Sequence, residues 1–154
     1  MLTAQRFIDK VGINLLVQYA SGRLATPGQF ITVLDVQLAL TGQAQTDVQA
    51  SIANWYQVSH THVQSVVTGY ISRFSVTSEE LAQSLVPGLA IDLLQYELCP
   101  NPSEELIRRR DYATARLKDI EKGVIKLTEH STDRVPTTGL KTVRAGSRFD
   151  WGGY

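Results

Sequence analysis

Few side chains in this sequence are of a kind that does chemistry, and their spacing argues against most of it. His60-Thr61-His62 comes nearest to a metal-binding pair, because imidazole nitrogens are good ligands for zinc and similar ions. On a helix, positions two apart point about 200° from each other, whereas a shared ion needs positions three or four apart. His130 stands far downstream in a polar stretch, so packed or solvated histidines are expected in place of a metal site. Cys99 is the sole cysteine, which excludes an internal disulfide or a multi-cysteine zinc site and fits a reducing compartment. It sits beside Pro100 with no histidine to activate it, and an inert, partly buried thiol is expected. Glycine-rich phosphate loops of the P-loop or dinucleotide type are absent. The sequence therefore predicts no catalytic residue, no metal ligand and no cofactor.

Two charged or aromatic groups are less ordinary. Asp92 lies inside Gly88–Leu98, the most apolar stretch of the chain. An isolated buried carboxylate is very costly, so it should be paired. The run Arg108-Arg109-Arg110, one tight turn away, is the natural supplier, and a structural ion pair of Asp92 with Arg109 and Arg110 is expected. The same arginines suit DNA or a partner's carboxylates, but a helix face alternating Arg with Glu and Asp is usually just solvated. The second group is Arg144, Arg148, Phe149, Trp151 and Tyr154. Arginine and aromatic side chains are typical interface anchors, and these are read as a partner-binding arm.

The elements that must position these groups are helical. A chain of 154 residues, 43% hydrophobic and 19% charged, has the composition of one globular domain. No apolar run approaches the roughly 18–20 residues of a membrane span, and the first residues lack the basic region and apolar core of a signal peptide. Thr3 caps a first helix, Ala4 to Val11, and Gly12 ends it. Ile13–Tyr19 reads as a short second helix closed by Ser21-Gly22. After a turn at Ala25–Gly28, Thr32 and Asp35 cap a short helix through Val36, Leu38 and Leu40. Thr46-Asp47 opens the longest helix, whose stripe is Ile52, Tyr56, Ser59, Val63, Val66, Tyr70 and Phe74. Thr77 and Glu80 form a capping box, and Pro87 fits the first turn of the buried helix that follows. Ser103 caps the next, from Glu104 to Lys122, about 28 Å long at 1.5 Å per residue, with the stripe Leu106, Arg110, Ala113, Leu117 and Ile120. Gly123 supplies its left-handed stop, and Val124–Leu127 reads as a short strand-like run. Residues 128–154 hold few aliphatics and are expected to form an extended C-terminal arm, able to reach up to roughly 90 Å. The prediction is all-α: a helical bundle over 1–127, then the arm over 128–154.

Charge is unevenly divided along the chain. Residues 1–103 carry four Lys/Arg and seven Asp/Glu, net −3, while residues 104–154 carry eleven and eight, net +3. The zero total is unlike a dedicated DNA binder. Opposite halves suit head-to-tail packing of identical copies, although so few charges also divide unevenly by chance.

The order of Val86-Pro87, Asp92, Tyr96 and Leu98, then Ser103-Glu104-Glu105, Arg108-Arg109-Arg110, Ala113, Leu117, Ile120, Gly123 and Leu127, then Arg148-Phe149 and Gly152-Gly153 resembles a family of small virion proteins of Mu-like phages and prophages. The family is read as head–tail connector (adaptor) proteins, and the resemblance covers the chain from Val86 onward. It implies a ring of identical copies, often twelve in the family, joining the portal protein to a tail or tail-terminator protein and continuing the DNA channel. Packaged DNA would pass close by, with no membrane involved. The location implied is the head–tail junction of the virion, after assembly in the host cytoplasm. Residues 22–62 depart from the family pattern in being longer and more apolar, as an extra interface element would be. An alternative of another class is a small helical DNA-binding or regulatory protein of a prophage. It calls for a helix-turn-helix with a basic recognition face, which the sequence does not display.

Overall fold

Capped helices follow one another along residues 2–127, the part of the chain described by the computed structural model. They are α1 (Ala4–Val11), α2 (Ile13–Leu24), α3 (Val33–Leu40), α4 (Asp47–Ile71), α5 (Ser78–Gln83), α6 (Val86–Leu98) and α7 (Glu104–Glu121). This is an all-α helical bundle. The proposed arm, residues 128–154, lies outside the described residues, and with it His130, Arg144, Arg148, Phe149, Trp151 and Tyr154.

Hydroxyl caps fix five helix starts. Thr3, Thr32, Thr46, Thr77 and Ser103 each accept a bond from the backbone N–H three residues on, satisfying a donor that the helix leaves open. Asp35 and Glu80 return the bond to Thr32 and Thr77 and complete two capping boxes. Pro87 occupies the first turn of α6, where its missing N–H costs nothing.

Two endings differ from the sequence expectation. Helix α2 runs through Ser21-Gly22 to Leu24. Gly22 is a packing residue there, since a Cβ on it would lie 3.1 Å from Pro100 Cγ. After α7 the strand-like run does not form. Gly123, at φ 75°, donates to the Ile120 carbonyl at 2.8 Å while Val124 donates to that of Asp119 at 2.9 Å. This Schellman pair turns the chain back and buries Leu127 against the bundle.

Helix α6 occupies the centre. It packs most extensively on α7 and also touches α1, α4 and α5, while α2 and α3 flank α4. Eight of its residues are buried, among them Leu89, Leu94 and Leu98. From α4 the buried positions are Gln49, Ile52, Tyr56, Val63 and Val67. Val67 is buried where Val66 was expected and Val66 is exposed; from Ile52 the buried set advances by steps of four and seven, which return to one face of a 3.6-residue turn. Leu106, Ala113, Leu117 and Ile120 line the inner face of α7 as expected. Phe7 and Leu16 close the core from α1 and α2.

Candidate functional site

Among the described residues, a wide opening follows from how α7 lies over α6. Residues three and seven apart share a helix face, so Arg109, Tyr112 and Arg116 border one flank of α7 together. Asp92 and Gln95 do the same on α6, and Lys10 enters from the last turn of α1. Between them is an open cleft of about 550 Å³, with Leu85, Leu89 and Ile125 among its apolar lining. Its volume falls within the roughly 300–1,000 Å³ of typical ligand clefts. Three cations and one carboxylate surround it.

Asp92 is half-buried in this cleft. Burial pushes its carboxyl above the usual range, and the charges of Arg109 and Lys10 pull it part of the way back. The expected ion pair is not made: among the described residues Asp92 pairs with no cation. Each arginine instead finds a carboxylate on its own helix. Arg109 is bonded to Glu105, and Arg108 lies 3.6 Å from Glu104. Arg110 sits about 100° further round α7, facing away from Asp92, with its guanidinium 4.5 Å from the centre of the Tyr96 ring. Its Nε is 2.9 Å from Asp111 Oδ1 but is buried without an aligned hydrogen bond, so the contact is electrostatic.

Lys10, Tyr112 and Arg116 were not foreseen as parts of this site. The seven-residue spacing of Arg109 and Arg116 was a readable signal, since it places both on one face. Nothing in the local sequence announced that Lys10 would come to the same place.

The two histidines diverge, as their spacing predicts. His60 Nε2 is 3.0 Å from the Leu2 carbonyl and its ring stacks on Tyr56. His62 points elsewhere, 3.8 Å from Glu97. Tyr56 packs against Phe7, and burial raises its hydroxyl to about 12. Cys99 is half-buried and free at the end of α6.

A separate surface is apolar. Phe30 is 88% exposed, and Leu34 (61%) and Val33 (41%) follow it at the start of α3. All three lie within residues 22–62. No described helix is long and apolar enough to cross a membrane. Comparison of the whole chain with protein-family models, with curated proteins and with solved structures gives no match.

Proposed function

We propose that this chain is a head–tail connector (adaptor) component of a Mu-like phage or prophage. Copies form a ring between portal and tail and continue the DNA channel. The resemblance from Val86 onward supplies the identity of the assembly. The observation that carries the reading in three dimensions is the apolar projection of Phe30, Val33 and Leu34, the kind of surface that marks a protein contact. The arginines of α7 favour protein contacts over a grip on DNA. Arg108, Arg109 and Arg116 lie against Glu104, Glu105 and Asp119 of their own helix, so little unopposed positive charge is left for phosphates.

Electron microscopy and mass photometry of the purified protein, alone and with the portal of its phage, test this. The expected result is a closed multi-copy ring on the portal. Phe30→Ser with Leu34→Ser should weaken the ring, and the monomer's melting temperature should stay close to its original value because neither side chain lies in the core. A strict monomer that binds neither portal nor tail components overturns the reading.

A further inference from the structure

We infer that the cleft between α1, α6 and α7 is the receptor for residues 148–154 of a neighbouring copy of this chain. The inference rests on the ring reading and names one contact within it.

Chemistry matches on both sides. The cleft offers cations at Lys10, Arg109 and Arg116, one carboxylate at Asp92, and an apolar floor including Leu85, Leu89 and Ile125. The segment Arg148-Phe149-Asp150-Trp151 presents a complementary set in four residues: one cation for Asp92, one carboxylate for Lys10 beside the Arg109 and Arg116 that Glu105 and Asp119 already hold, and two aromatic rings for the floor. Asp92 is the group the bundle leaves available. Its own cations stand close enough to influence it but pair with it nowhere. A guanidinium entering the cleft would meet a half-desolvated carboxylate, where a charge-assisted bond is stronger than in water.

Chain length lets a second copy be the source. The cleft wall includes Ile125, just before residue 128. The twenty residues before Arg148 reach up to roughly 65 Å when extended, enough to span to the cleft of an adjacent copy in a ring.

A charge swap in the full chain tests this. Trp55 and Trp151 are the two tryptophans, so Trp55→Phe leaves Trp151 as a reporter. In that background the assembled protein should show blue-shifted, quencher-protected Trp151 emission. Lys10→Glu with Arg116→Glu should remove the shift, and so should Asp150→Lys. Mixing those two proteins should restore it, because each arm then meets a cleft of opposite sign on the other. Restoration only when all three changes share one chain would mean docking within a copy, and would overturn the inference. A reporter that is solvent-like throughout, or indifferent to the swaps, would overturn it as well. Rings on the portal with failed mixing would leave the connector reading standing without this contact. Successful mixing without portal-bound rings would do the reverse.

Discussion

The α3–α4 junction and the α6–α7 pair are both helix contacts, yet different forces hold them. Between α3 and α4 the fastening is polar. Asp35 Oδ2 accepts from the Thr32 backbone and hydroxyl, at 3.0 and 2.6 Å. Its Oδ1 accepts from Gln49 Nε2 at 2.9 Å, and Gln49 Oε1 accepts from the Gln45 backbone at 2.8 Å. Gln49 is the sole buried polar residue among those described, and it is fully engaged. Between α6 and α7 the contact is apolar, through residues such as Leu94, Leu98, Ala113 and Leu117. The acidic group there, Asp92, takes no part in it. One carboxylate is consumed by the fold and the other is left over, so the leftover one is the better candidate for binding.

Four substitutions break or sharpen this contrast. Leu117 is fully buried, and Leu117→Ala should cost about 2–5 kcal/mol in chemical denaturation by opening a cavity. That loss should be the same at pH 7 and pH 4, because no titrating group is involved.

Gln49→Ala should cost roughly 1–3 kcal/mol, since it strips a donor from Asp35 and strands the Gln45 N–H. The effect should depend on pH. The Thr32 hydroxyl, then Gln49, then the Thr32 backbone hold the Asp35 carboxyl below its usual range. A carboxyl with a depressed folded value adds stability above its unfolded value, and that stability is lost as pH falls through the folded one. Asp35→Asn should therefore flatten the acid limb of the stability profile; an unchanged limb would detach the node from the stability of the fold.

Asp92→Asn should have the smallest effect and the opposite sign. Burial raises this carboxyl, so the folded state holds a proton over a window in which the unfolded state has released it. Stability from this group falls as pH rises through that window. The substitution should leave the protein equally or slightly more stable at pH 7, and the gain should vanish below the ordinary carboxylate range. A loss near the ~3–5 kcal/mol of a broken buried pair would restore the ion pair expected from sequence and erase the contrast.

Local signals were the legible part of the fold. Caps at Thr3, Thr32, Thr46, Thr77 and Ser103, Pro87 in a first turn and Gly123 as a stop all act within a few residues, and all were readable as sequence. The misreadings came from contacts between distant segments. Gly22 resembles a helix stop unless Pro100 is known to lie against it. Asp92 beside three arginines resembles an ion pair unless Glu104, Glu105 and Asp111 are seen to take those arginines first. The expected ion pair does not form, but two of its members, Asp92 and Arg109, do border one cleft; Lys10 and Arg116 join it only through the packing of α1 and α7 on α6.

The narrow clearance between Gly22 and Pro100 has a consequence for descent. The two positions lie on α2 and in the α6–α7 break, far apart in the gene, yet a side chain at one intrudes on the other at 3.1 Å. A lineage that gains a side chain at 22 needs the Pro100 ring to give by a few tenths of an ångström, so changes at the two sites should be correlated.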